Sequence, residues 1–367
     1  VTPCFRDSMD LVGWKGLMCL ALDAMRWAER PPGMRDLFPA QARLRRNLED
    51  WLIRFFEDRG FSLVSSGAFE YADTLQRGRV PAASEQWVQV FDRSGRPMAL
   101  RPDMTPSVAR MAAPLVAAGQ VPIRWCYAER VYHRSDAPAT LSWMSGRAAE
   151  STQVGVECIG ETGVAADSQL LGLCLDALAG LRRAGVRMVI SHALFVPALL
   201  ELLGVPADDL EPLLALLTAG DYVAFRTESR RFVGEVDVLE LLSALNPFQP
   251  HTLPDNLVRP ESAASQRLQA AWRALCQLAD AIRTSDHACA MVFDLSLHRD
   301  PSYYTGMVFE VFAPGAGAPI AQGGRYDHLL REFGAPAPAL GFTFEVERLM
   351  TLFADEELIV QRGVVPC

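Results

Sequence analysis

The stretch from residue 61 to residue 160 most constrains the fold. It carries "FSLV", then "WVQVFDRSGRPMALRPD", then a strand-like run at 122–133, then "TQVGVECIG" at 152–160. Only one helix-like segment, about Thr105 to Ala117, interrupts these runs. Parallel strands need a long crossover, usually a helix, between each pair. Strands in hairpin-like succession therefore predict a mainly antiparallel sheet with helices packed against it, an α+β domain. The segment 87–103 predicts a hairpin turning at Arg93-Ser94-Gly95. Ahead of it, Leu44, Leu48, Trp51, Leu52, Phe55 and Phe56 recur at helical spacing and predict a helix over about 39–59, stopped at Gly60.

From 164 to about 285 the pattern turns helical, with one short strand at "RMVIS". "PALLELLGVPADDLEPLLALLTAGD" predicts short helices packed around leucines, and Pro206, Pro247, Pro250, Pro254 and Pro260 punctuate the region. Strands are expected again at 290–298 and 303–315, a short helix after "QGGRYD", and a final helix over "GFTFEVERLMTLF" at 341–353. The expected organisation is an N-terminal extension (1–30), a first part of the core (31–185), a helical insertion (186–288), a second part of the core (289–354) and a tail (355–367).

Several function classes are excluded. Lys15 is the only lysine and sits in "WKGLM", so neither a Walker phosphate loop nor Schiff-base chemistry is available. No Gly-x-Gly-x-x-Gly opens a helix after a strand, which argues against a dinucleotide fold. A net charge of −9 carries no nucleic-acid footprint. The eight cysteines form no CxxC pair, so no metal site or disulfide framework is expected. They are read as small buried hydrophobes in a reducing cytoplasm. No run of 18 uncharged apolar residues predicts a membrane span. "GLMCLAL" at 16–22 has the look of a short signal core, but Asp23 interrupts it and no small-residue cleavage site follows.

Candidate ligand-binding residues come from four segments. Residues two apart on a strand share a face. Gln153, Gly155 and Glu157 therefore point one way, while Val154, Val156 and Cys158 point into a core. The missing side chain at Gly155 leaves room for a small ligand, and a buried carboxylate near an amide suits an ammonium or an imidazole. The alternative is a solvated strand face with a bulge glycine. "ALRPDMT" brings Arg101, Asp103 and Thr105 to a strand-to-helix junction, where Asp103 and Thr105 are equally plausible helix caps. "LHRDPSYYTGMVFE" places Arg299, Tyr303 and Tyr304 at the head of a strand, and "AQGGRYD" is expected to join a strand to a helix through two glycines.

Taken together and in order, "LRPDMT", "TQVGVECIG", "DPSYYTGMVFEVF", "AQGGRYDHLL" and "PALGFTFEVERL" resemble the catalytic core of histidyl-tRNA synthetase, a class II aminoacyl-tRNA synthetase, over about 31–354. The resemblance implies that Asp103, Thr105 and Gln153 lie at the amino group of histidine. It implies that Glu157 and Tyr304 recognise the imidazole, with Tyr303 beside them, and that Arg299 serves the carboxylate. "RDPSYY" departs from the arginine-glycine stretch usual there.

Other departures fall on the ATP equipment. Synthetases of this kind end the strand at "VYHRSD" in phenylalanine-arginine-x-glutamate, whose arginine grips a phosphate. Here Tyr132, His133 and Ser135 take those places. Arg134 is next door, but one step along a strand points it to the other face. Glu345 stands where a small residue is usual beside the nucleotide, while Arg348 is retained. Only 18 residues follow Leu349, fewer than an anticodon-binding domain of about a hundred would need.

A histidine pocket without adenylation or tRNA reading resembles the regulatory subunits of ATP phosphoribosyltransferase. That resemblance implies a non-catalytic chain without cofactor. It implies a homodimer within a hetero-octamer with the short-form catalytic subunit, required for the first step of histidine biosynthesis. L-histidine would be its ligand and feedback signal, with no nucleic-acid or membrane partner. Competing readings are a truncated histidyl-tRNA synthetase or histidine-adenylating enzyme, and a histidine-binding module serving another partner.

Overall fold

Alternation in "TQVGVECIG" becomes a ten-residue strand at the heart of the protein, seen in a computed structural model that describes residues 30–77, 87–134, 148–182, 185–249, 253–258, 262–299 and 303–353. The strands are β1 (Ser62–Leu63), β2 (Phe69–Tyr71), β3 (Gln89–Phe91), β4 (Pro97–Leu100), β5 (Ile123–Tyr132), β6 (Glu150–Ile159), β7 (Arg187–His192), β8 (Met291–Phe293), β9 (Met307–Phe312), β10 (Ala321–Arg325) and β11 (Ala339–Glu345). Among the described residues, eight of them form one sheet in the order β1-β5-β6-β11-β10-β9-β7-β8, and β2-β4-β3 form a smaller one. All inner pairs of the large sheet are antiparallel, and the two edge pairs, β1 with β5 and β7 with β8, are parallel. The α+β expectation matches this architecture.

The helices are α1 (Pro39–Glu57), α2 (Ala72–Gln76), α3 (Thr105–Ala117), α4 (Gly163–Gly180), α5 (Phe195–Leu202), α6 (Ala207–Thr218), α7 (Tyr222–Val233), α8 (Val238–Ala244), α9 (Ala263–Ile282) and α10 (Val346–Thr351). The α1 stripe predicted from spacing buries Leu48, Leu52 and Phe56. These meet Val154, Val156 and Cys158 of β6 and Phe342 and Phe344 of β11, with Leu171, Leu175 and Leu178 of α4 completing the layer. One face of the large sheet is thus an apolar core, as period two demands.

Helices α5 to α8 gather around a second core that includes Phe195, Leu199, Phe225 and Leu242. Helix α9 belongs to both cores: Leu268, Trp272 and Leu275 serve the second, and Leu278 and Ile282 the first. The strand at "RMVIS" is β7, an inner strand of the large sheet between β9 and β8.

Two local expectations are corrected. The segment 341–353 is not one helix: 339–345 is β11, followed by the short α10. "GFTFE" alternates with period two, and its two faces are both buried because β11 is an inner strand. "AQGGR" does not join a strand to a helix but is itself β10, and a 3-10 turn at Leu329–Phe333 follows. Its glycines are required by crowding. A Cβ at Gly323 would lie 2.3 Å from the Gly341 carbonyl, and one at Gly324 would lie 2.9 Å from the Tyr304 ring.

Cys126, Cys158 and Cys174 are buried, as expected, and burial pushes the thiols of Cys126 and Cys158 up to about 12. Cys276 is half-buried and Cys289 exposed, so the buried reading does not extend to Cys289, while Cys4, Cys19 and Cys367 lie outside the described residues. No described helix is long and apolar enough to cross a membrane.

Candidate functional site

The second face of the large sheet is polar, and its composition follows from register. Glu157 pairs with Trp125 on one side and Gly341 on the other, Gly155 with Tyr127 and Thr343, and Gln153 with Glu129 and Glu345. Directly paired residues share a face. Through β10 the face continues to Gln322 and Gly324, and through β9 to Glu310. Helix α3 and the turn around Leu329 and Leu330 cover part of it, with Met104, Val108 and Ala112 packed beside Tyr127, Tyr303 and Tyr326.

Glu157 is 1% exposed. Its Oε1 accepts from Thr105 Oγ1 at 2.8 Å and from the Tyr127 hydroxyl at 3.5 Å, and its Oε2 accepts from the Tyr326 hydroxyl. Burial pushes its carboxyl up to about 8, against the pull of the Tyr326 and Thr105 hydrogen bonds. The two phenols are raised well above the ordinary tyrosine value, by burial first and by Glu157 second. Gly341 makes the carboxylate's position feasible, since a Cβ there would lie 1.8 Å from Glu157 Oε2.

Thr105 is the first residue of α3, but its hydroxyl turns into the site instead of capping the helix. Asp103 Oδ1 accepts the Thr105 amide at a long 3.4 Å, and its Oδ2 accepts the Tyr303 hydroxyl at 2.5 Å. The Tyr303 ring lies tilted against Tyr304, centroids 5.0 Å apart, and edge-on to Tyr326 at 5.8 Å. Arg299 is buried and donates from Nη1 to Glu310 Oε1 at 2.7 Å, while its Nε has no partner among the described residues. Burial works against the Arg299 charge, yet Tyr304, Glu310, Tyr303 and Asp103 together hold its pKa above the ordinary arginine value.

Thus Asp103, Thr105, Glu157, Arg299, Tyr303 and Tyr304 converge. Gln153 stands apart, four residues along β6, where its Nε2 donates to Glu345 Oε1 at 3.2 Å and its Oε1 is buried without a partner among the described residues.

Other expectations shift. The space over Gly155 is taken by protein: a Cβ there would lie 2.6 Å from the Tyr127 hydroxyl and 2.5 Å from the Phe342 carbonyl. Arg101 is 2% exposed and fully used within the fold, donating to Glu129, to the Arg130 carbonyl and to the backbone of Ser66 and Gly67. His133 lies just beyond β5, its amide bonded to the Ala149 carbonyl at 2.9 Å, and Arg134 is exposed. Ser135 lies outside the described residues. Arg348 donates to the Pro319 carbonyl at 2.6 Å. Tyr127, Tyr326, Gln322 and Glu345 join the polar face. Of these, Tyr127 had no signal beyond being a tyrosine in a predicted strand, because its place opposite Gly155 follows only from the register. Tyr326 had none beyond its place after "GGR". Among the described residues no group of histidine, cysteine and carboxylate side chains is arranged to hold a metal.

The profile described as histidyl-tRNA synthetase matches residues 33–349. An ATP phosphoribosyltransferase regulatory subunit of Moorella thermoacetica is 34% identical over 324 residues, covering 87% of this chain and 80% of that protein. The regulatory subunit of Symbiobacterium thermophilum is 35% identical over 321 residues, covering 87% and 78%. The chain belongs to the ATP phosphoribosyltransferase regulatory subunit family. Solved structures agree on the fold that this family shares with the synthetases. A histidine–tRNA ligase subunit of Alicyclobacillus acidocaldarius superposes with a TM-score of 0.79 at 48% identity, covering 89% of this chain and 97% of that one. A regulatory subunit/histidyl-tRNA synthetase of Bacillus halodurans gives 0.70 at 27% identity, covering 88% and 82%. The architecture of the family is therefore the class II synthetase-like sheet described above.

Proposed function

We propose that this chain is a non-catalytic regulatory subunit that activates a short-form ATP phosphoribosyltransferase and transmits feedback inhibition by L-histidine. The observation that carries the ligand is complementary: among the described residues a buried acceptor, Gln153 Oε1, and a buried donor, Arg299 Nε, both lack partners on a face centred on Glu157. A zwitterionic amino acid with an imidazole supplies what each lacks. Its ammonium donates to Gln153, its carboxylate accepts from Arg299, and its ring meets the Glu157 and Tyr304 end. Buried polar groups left unpaired are costly, so a site of this kind favours the one ligand that pairs them all.

The non-catalytic part rests on His133 in the place of a phosphate-gripping arginine and on Glu345, a carboxylate buried on the ligand face. Histidine biases the complex only by binding one of its states better than another. In the family's setting, the partner is the catalytic subunit, the assembly a homodimer within a hetero-octamer.

The test is reconstitution with the cognate short catalytic subunit. This chain should raise the rate of phosphoribosyl-ATP formation, and L-histidine should then lower it. Glu157→Gln should blunt inhibition more than activation, because Glu157 is buried and so is not itself available to a partner surface. A catalytic subunit equally active with and without this chain would refute the assignment. The second reading, a histidine-activating enzyme, is favoured by the name of the Alicyclobacillus structure. It requires histidine-dependent pyrophosphate exchange, which the chain alone should lack.

A further inference from the structure

Glu345 is 5% exposed and, among the described residues, carries no cationic partner. Its Oε1 accepts only from amides, Gln153 Nε2 at 3.2 Å and Gln322 Nε2 at 3.5 Å. None of the arginine or histidine ion pairs among the described residues includes it. A buried carboxylate held by two neutral amides is under-compensated, since burial without a counter-charge is costly. Beside it lies an acceptor without a donor among the described residues, Gln153 Oε1, on a residue 4% exposed and itself bonded to Glu345. Gln153 and Glu345 are direct cross-strand partners, so both side chains rise from the same point of the polar face.

What the pair asks for is a compact cation with several N–H donors, and an ammonium has three. The other carboxylates of the face are served differently. Glu157 takes three hydroxyls, Glu310 takes Arg299, and Asp103 takes the Tyr303 hydroxyl and stands in the field of Arg299. Gln153 and Glu157 are four residues apart on one strand, about 13 Å between backbones. Their side chains reach in from the two ends, which leaves a length suited to an imidazole amino acid.

We infer that Glu345, together with Gln153 Oε1, holds the α-ammonium of the ligand and so selects an amino acid over its deaminated analogue. The assignment rests on the proposal that this face takes L-histidine. It makes Glu345 a specificity residue, and it shifts the ammonium away from Asp103, where the resemblance to synthetases would put it.

The experiment is calorimetry on the full chain with two probes, L-histidine and imidazolepropionate, which keeps the ring and the carboxylate but lacks the ammonium. Wild type should prefer L-histidine. Glu345→Gln, nearly the same shape, should weaken L-histidine about tenfold to a hundredfold, the range of a lost charge-assisted hydrogen bond, and change imidazolepropionate by less than about twofold. Asp103→Asn should not show that selectivity. If Glu345→Gln leaves L-histidine affinity unchanged, or weakens both probes equally, the ammonium assignment is wrong while the histidine site stands. If the selective loss appears in Asp103→Asn instead, the ammonium lies there. If wild type binds neither probe, the histidine site itself is refuted and this assignment with it.

Discussion

The two ends of the polar face of β6 contrast in how far the protein satisfies itself. At the Glu157 end, three hydroxyls from three different elements close on one carboxylate, and Gly341 is the only residue that fits beneath it. At the Gln153 end, a carboxylate and an amide oxygen meet only neutral amides or nothing. Folding completes the first network. The second is left, among the described residues, with one buried acceptor that has no donor, Gln153 Oε1. In the proposed histidine site, the Glu157 end would fix the ligand's orientation and the Gln153 end would depend on its presence, so only a ligand that binds one state better could bias the complex.

The contrast should break most severely at Gly341. Gly341→Ala drives a methyl group into Glu157 Oε2 and to 2.5 Å from the Val156 carbonyl, on an inner strand that cannot move aside. We expect a loss of roughly 3 kcal/mol or more, or no cooperative folding at all, read as a thermal melt. A variant that melts like wild type would show that the Glu157 end is loose, and that the difference between the ends is one of detail.

The next effect is set by pH. The carboxyl of Glu157 is raised from 4.5 to about 8, chiefly by burial. Between those values the folded chain keeps a proton that the unfolded chain has released. The unfolded state then binds fewer protons, so stability falls as pH rises, and the fall ends above the folded value. Glu157→Gln removes the titration. Relative to wild type the variant should gain on the order of 2 kcal/mol between about pH 5 and about pH 9, less than a rigid site would give because a charged group draws in water. Denaturant melts across that range check the sign. A gap that widens in favour of wild type would mean that the hydroxyls outweigh burial.

The Glu157 end was the more legible of the two in the sequence. Period two in "TQVGVECIG" assigned Gln153 and Glu157 to one face and Val154, Val156 and Cys158 to the core, and both faces are as expected. The α1 stripe and the start of α3 at Thr105 were readable for the same reason, because one-sided burial imposes a period. What escaped notice lies in the middle of the sheet. Strand β11 is buried on both faces and β10 nearly so, so the period-two alternation in "GFTFE" does not mark a solvent face and "AQGGR" carries too few large side chains to show a period, and two of their glycines admit Tyr304 and Glu157. Gly155 looked like room for a ligand and is instead room for Tyr127, because a cross-strand neighbour cannot be known before the register is. Glu345 was readable as a carboxylate near the site, but its lack of a cation depends on which arginines are spent elsewhere. Arg101, Arg299 and Arg348 are all engaged by groups distant in sequence.

The smallest effects offer the finest comparison, one hydroxyl against one amide. Tyr326→Phe removes a donor from the buried Glu157 carboxylate and leaves Oε2 without its phenol, which should cost about 1.5 kcal/mol. Gln322→Met removes the longer contact to Glu345 at 3.5 Å, at the limit of hydrogen bonding, from a half-buried residue of similar length. It should cost no more than about 0.5 kcal/mol, because so stretched a bond recovers little of the desolvation it required. Measured in the same melts without ligand, the two variants should therefore differ by about 1 kcal/mol, with the tyrosine the costlier. Added L-histidine should stabilise Gln322→Met nearly as much as wild type, since the proposed ammonium contacts of Gln153 and Glu345 are kept. Equal costs for the two variants would mean that Glu345 is tied into the fold as firmly as Glu157, and the Gln153 end would lose the property that sets it apart.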